Sequence, residues 1–95
     1  MSLEENKNNY EIRFSRKAEK GWRDLEENMP EATEKCRQFL TFTPLDRLAS
    51  GGKIKKMKGK FSRFLQYDVT DSARVQYRVD QANHIVYVKY AGPHP

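Results

Sequence analysis

Arg74, His94 and a run of lysines are the residues of this chain whose chemistry calls for a substrate. Arg74 stands in "ARVQYRV", on the opposite face from Val75 and Tyr77 if that segment is a strand. A guanidinium held on a strand can engage two phosphate oxygens at once. His94 lies in "GPHP". An imidazole titrates near neutrality and can serve as acid or base, although a C-terminal histidine is often an idle surface group. Lys53, Lys55, Lys56, Lys58 and Lys60 supply sequence-independent phosphate affinity. Arg63 and Arg78 add charge, and Tyr67 offers a ring on which a base can stack. Tyr67 equally fits a half-buried aromatic that fills a sheet face.

Charge is unevenly spread. The net charge is +5, yet residues 1–51 carry nine Lys or Arg against ten Asp or Glu, and residues 52–95 carry nine against three. A basic half of this kind attracts polyanions, with nucleic acid the first candidate; solubility alone is the other reading. Apolar residues make up 37% of the 95, so the core must be small. No apolar run approaches the ~20 residues of a membrane span, and the polar start does not read as a signal peptide. The lone Cys36 forms no intramolecular disulfide and fits a reducing cytoplasm. His84 and His94 are too isolated for a metal site, and no small-molecule cofactor motif is visible.

The elements that must position these groups follow from periodicity. Residues 1–8 read as a disordered extension, and 9–95 as one domain. "YEIRFS" alternates as a first strand, and Ser15 suits a helix N-cap. Ala18, Trp22, Leu25 and Met29 form one helical stripe; Pro30 opens a second helix with Ala32, Cys36, Phe39 and Leu40, and Pro44 closes it. "PLDRLASGGK" reads as a loop. Three strands are expected at about 60–69, 73–79 and 84–91, joined by short turns into an antiparallel meander. The expected fold class is α+β, in the order β-α-α-β-β-β. The helical hairpin covers one face of an antiparallel-rich four-stranded sheet, and the other face is left to polar and cationic groups. Arg63 and Tyr67 then share a parity and a face.

Four segments resemble the RelE/ParE superfamily of type II toxin–antitoxin toxins. "YEIRFSRKAEK" resembles its opening strand and first helix, "KKMKG" its Lys-Leu-Lys-Gly signature, "ARVQYRVD" its Tyr-Arg strand, and "VKYAGPHP" its terminal Gly-x-His/Arg strand. The resemblance implies a RelE-like fold, a cognate antitoxin as partner and a toxin's role. In the RelE branch that role is metal-independent, ribosome-dependent cleavage of mRNA; in the ParE branch it is non-catalytic inhibition of DNA gyrase. An inactivated member that binds only antitoxin or RNA is a third outcome. Carried onto this chain, Arg74 matches the active-site arginine and His94 the terminal His/Arg. The two basic positions of the RelE branch, counted from Gly59, fall on Leu65 and Tyr67, which are not basic. The RelE branch also carries a tyrosine beyond the position of His94, and this sequence has none. The resemblance therefore implies an mRNA endonuclease acting on the ribosome, with Arg74 and His94 catalytic and the lysines, Arg63, Tyr67 and Arg78 binding RNA.

Overall fold

The computed structural model describes residues 9–93. Strand β1 (Glu11–Phe14) leads into helix α1 (Arg16–Asn28), helix α2 (Pro30–Phe42) and a helical turn α3 (Arg47–Ser50). Strands β2 (Ile54–Lys56), β3 (Leu65–Thr70), β4 (Ala73–Asp80) and β5 (Ile85–Pro93) complete the chain. The sheet order is β1-β5-β4-β3-β2, antiparallel except where β1 lies parallel to β5. The last strand therefore pairs with the first, and residues far apart in sequence share one sheet face.

Local chemistry explains the helical layer. The Ser15 hydroxyl accepts from the Ala18 N–H at 3.1 Å and starts α1. Ala18, Trp22 and Leu25 are buried, as their spacing predicts. Pro30 occupies the first turn of α2. The Thr33 hydroxyl contacts two carbonyls at the end of α1, Leu25 at 3.0 Å and Met29 at 2.8 Å, which ties the hairpin together. Gly21 lets α1 lie directly on β5: a Cβ there would fall 1.8 Å from the Ala91 carbonyl oxygen. At the centre, Tyr77 is fully buried and its hydroxyl donates to the Pro44 carbonyl at 2.7 Å.

Three expectations need correction. The sheet has five strands rather than four, because Ile54–Lys56 pairs with β3 as a short edge strand. Ile54 is the only apolar residue of that segment, too little alternation to announce a strand. The strand expected at 60–69 begins only at Leu65, because Gly59 has a left-handed φ of +70° and Gly59–Phe61 forms a 3-10 turn. The loop after Pro44 contains α3, whose N-cap Asp46 accepts from the Leu48 and Ala49 N–H groups at 2.9 and 3.1 Å. The expected disorder of residues 1–8 lies outside the described residues.

Candidate nucleic-acid interface

Alternation along β4 buries Ala73, Val75 and Tyr77 and turns Arg74, Gln76 and Arg78 to the uncovered face. Asp68 of β3 stands directly opposite Arg74, and Gln66 opposite Gln76; on the other side Gly92 and Tyr90 of β5 pair with them. Gln66 in turn faces Lys55 of β2. Four strands thus converge on one polar cluster.

Within it, Arg74 Nη1 donates to Gln66 Oε1 at 3.3 Å, and Gln76 Nε2 to the same oxygen at 3.4 Å. Gln66 Nε2 donates to Asp68 Oδ1 at 3.2 Å, while Lys55 Nζ lies 3.6 Å from Asp68 Oδ2. Arg74 Nε is buried and has no hydrogen-bond partner among the described residues. Leaving such a donor unpaired costs ~1–3 kcal/mol, and an oxygen from outside the fold would recover it. The residue paired with Arg74 on β5 is Gly92, and the Tyr90 side chain, whose hydroxyl donates to the Pro93 carbonyl, lies over that position: a Cβ on Gly92 would fall 3.2 Å from the Tyr90 hydroxyl. The arrangement combines a fixed cation, a carboxylate and an ammonium on an open surface. It suits a phosphodiester whose neighbouring hydroxyl must lose a proton.

Strand alternation disperses the lysine cluster. Lys55 reaches the open face through Asp68, whereas Lys56 turns the other way at the sheet edge. Lys58 and Lys60 are exposed around the 3-10 turn. Lys53 belongs to the helical side: it lines a hollow with Lys35, Phe39 and Phe42, and its ammonium lies 5.9 Å from the Tyr67 ring centroid. The five lysines therefore do not form one patch on the Arg74 face.

The stacking role for Tyr67 and the shared face of Arg63 and Tyr67 are not found. Tyr67 is 2% exposed and packs on Phe39 with ring centroids 5.0 Å apart, so it offers no surface to a base. Burial pushes its phenol up to about 12. Arg63 is exposed in the turn before β3 and does not share a strand face with Tyr67. The late start of β3 leaves Arg63 in the turn, and within the strand Tyr67 and Val69 turn to the core with Leu65, while Gln66 and Asp68 turn outward. Arg78 does lie on the open face, its guanidinium 4.2 Å from the Tyr87 ring centroid. His94 lies outside the described residues.

Sequence reasoning passed over Gln66 and Asp68, although "LQYDV" already alternates apolar and polar. It also passed over Phe61, Phe64 and Lys89, for which no local pattern was available: Lys89 Nζ sits 3.8 Å from the Phe61 ring centroid across the sheet. Among the described residues no group of three or more His, Cys, Asp or Glu is placed to hold a metal ion. Among the described residues no helix is long and apolar enough to cross a membrane.

At the level of sequence no family model matches the chain, and no curated protein is significantly similar to it. Its fold, by contrast, is shared with solved toxins. It resembles the Escherichia coli DinJ–YafQ toxin–antitoxin complex with a TM-score of 0.70, at 14% identity over 90% of this chain and 93% of that one. The heterotetrameric YoeB–YefM toxin–antitoxin complex of Staphylococcus aureus gives 0.67 at 20% identity, over 90% and 98%. A YoeB/ParE toxin from Agrobacterium tumefaciens gives 0.66 at 16% identity, over 90% and 99%. The architecture is therefore the RelE/ParE-like α+β fold, a helical hairpin on one face of a sheet whose other face is open.

Proposed function

We propose that this protein is the toxin of a type II toxin–antitoxin module and cleaves messenger RNA on the ribosome. The observation that carries the reading is Arg74: its buried Nε has no hydrogen-bond partner among the described residues, on a sheet face directly across from Asp68. In the proposed step Asp68 takes the proton of a ribose 2′-hydroxyl. The 2′-oxygen attacks the adjacent phosphorus, the bond to the 5′-oxygen breaks, and that oxygen takes up a proton. The products are a 2′,3′-cyclic phosphate and a free 5′-hydroxyl, with no redox change. Arg74 holds the non-bridging oxygens, whose charge grows in the pentacovalent state. Lys55 neutralises the phosphate and orients Asp68. His94, shortly after β5 in the sequence, is the proposed donor to the leaving oxygen.

The proposed partners are the ribosome with its mRNA, and a cognate antitoxin. Solved relatives of the fold include complexes with an antitoxin. Exposed Phe42, Leu45 and Leu48 give this chain apolar surface beside Lys35 and Lys53, suited to an acidic amphipathic segment of such a partner. The test is expression in bacteria with pulse labelling. Wild type should stop protein synthesis first, and a soluble Arg74→Ala variant should not. A halt in DNA synthesis while translation continues would replace this reading with gyrase inhibition. Undiminished translation arrest by Arg74→Ala would remove Arg74 from the chemistry.

A further inference from the structure

The open face carries a second cluster, at the far end of β4 from Arg74, that the cleavage step does not use. Gln76 pairs with Tyr90 but Tyr77 pairs with Val88, so β5 holds one extra residue, Lys89. A bulge of this kind re-aims a side chain. Lys89 Nζ lies 3.8 Å from the Phe61 ring centroid and 5.1 Å from that of Phe64. The two phenyl rings meet edge to face, with centroids 6.4 Å apart. Phe61 nevertheless stays 37% exposed, a large apolar ring left open on a polar face. Beside them Arg78 opposes Tyr87, its guanidinium stacked 4.2 Å from the ring centroid. Arg13 of β1 flanks Tyr87 on the other side. Arg13, Phe64, Arg78, Tyr87 and Lys89 line a hollow of ≈ 360 Å³.

Charge at the hollow is one-sided. Three cations face it, and the neighbouring Glu11 is already bound by Arg13 at 3.0 Å. Alternating cations and rings match a polymer of phosphates and flat bases. Arg74 and Arg78 are on the same face of one strand, about 13 Å apart at the usual strand rise. A short single strand lying across Arg74 would therefore reach the hollow with a flanking nucleotide.

We infer that this hollow, together with the Phe61 ring that adjoins it through Lys89 and Phe64, is a subsite for single-stranded RNA, in which a nucleobase stacks on Phe61 or on the Tyr87-backed guanidinium of Arg78, while Lys89 and Arg13 take the adjacent phosphates. The inference rests on the nucleic-acid reading of the open face. The subsite is tolerant of base identity, because every base has a π-face. It excludes a duplex, whose bases are already stacked.

The test is equilibrium binding of a short single-stranded RNA carrying 2-aminopurine, whose fluorescence falls on stacking, at several salt concentrations. Wild type should bind and quench. Phe61→Ala should weaken binding roughly 5- to 150-fold and relieve the quench, the usual range for losing one stacking platform. Lys89→Gln, which keeps the side-chain stem, should lower the salt slope by about one phosphate contact. It is the independent arm if Phe61→Ala disturbs the turn. Wild-type affinity, quench and salt slope in both variants would overturn the subsite and leave the cleavage reading standing. Failure of the wild-type protein to bind any single-stranded RNA would overturn the nucleic-acid reading and the subsite together.

Discussion

Asp68→Asn should separate the proposed chemistry from stability, because the expected magnitudes of the two differ. The ion pair it removes is weak. Lys55 Nζ and Asp68 Oδ2 are 3.6 Å apart, and the two side chains are 67% and 31% exposed. An exposed pair of this geometry contributes about 0–1 kcal/mol. The hydrogen bond from Gln66 to Oδ1 survives, since the amide oxygen of asparagine accepts as the carboxylate does. The fold should therefore lose less than about 1 kcal/mol, a melting shift of no more than roughly 4–8 °C for a domain of this size. What asparagine lacks is the ability to take a proton.

Loss of a general base slows catalysis roughly 100- to 10,000-fold, or about 2.7–5.4 kcal/mol in the barrier. That exceeds the stability term several times over, so a folded and nearly inactive variant is expected. The assay is single-turnover cleavage of ribosome-bound mRNA. Asp68→Asn should be slower than wild type by that factor. Asp68→Glu, which keeps a carboxylate on a longer arm, should restore part of the rate. Cleavage by Asp68→Asn within about threefold of wild type would refute Asp68 as the base.

Two predictions concern the scaffold. Gly21→Ala places a methyl group 1.8 Å from the Ala91 carbonyl oxygen, so two backbones must separate. The expected loss is at or above the top of the ~1–3 kcal/mol range for overpacking, read as a lower urea midpoint; an unchanged midpoint would contradict the contact between α1 and β5. Burial raises the phenols of both Tyr67, to about 12, and Tyr77. The fold favours their neutral forms. Their contribution to stability is therefore constant below the ordinary tyrosine value of about 10 and declines as pH climbs toward the folded values. Ultraviolet titration should show these two ionising late or only with unfolding; ordinary ionisation of all five tyrosines in a folded protein would contradict the packing.

Much of the scaffold was legible because its signals are local. The helical stripes of Ala18, Trp22 and Leu25 and of Cys36, Phe39 and Leu40 repeat at the helical period, and Ser15 and Pro30 mark the helix starts. Arg74 was legible as an outward residue because "ARVQYRV" alternates without interruption. The errors arose where local signals mislead. The lysine run resembled a single patch, yet a three-residue strand and a 3-10 turn inside it point its members in different directions. Of the two readings of Tyr67, the buried aromatic holds, and Arg63 shares no strand face with it because β3 begins at Leu65 rather than near residue 60. A strand's alternation says which residues share a face but not where the strand begins.

The cations that face the open side come mainly from strands distant in sequence, and this bears on how the surface works. Arg13 comes from β1, Lys55 from β2, Arg74 and Arg78 from β4, and Lys89 from the bulge in β5. Parallel pairing of β1 with β5 brings Arg13 beside Tyr87, whose other neighbour is Arg78. A disordered basic tail would bind a polyanion equally well but could not fix where its charges lie. Here the sheet fixes them in two places along β4. At one end Arg74 and Asp68 stand opposite each other, and Arg74 Nε has no hydrogen-bond partner among the described residues; this is the proposed place of reaction. At the other end the cations are interleaved with Phe61, Phe64 and Tyr87, the proposed place where a single strand is held in register. On the proposed reading, a flanking nucleotide held about 13 Å away would limit how the scissile phosphate moves over Arg74. Loss of the stacking end should therefore cost affinity and positioning, whereas loss of Arg74 or Asp68 should cost the chemical step.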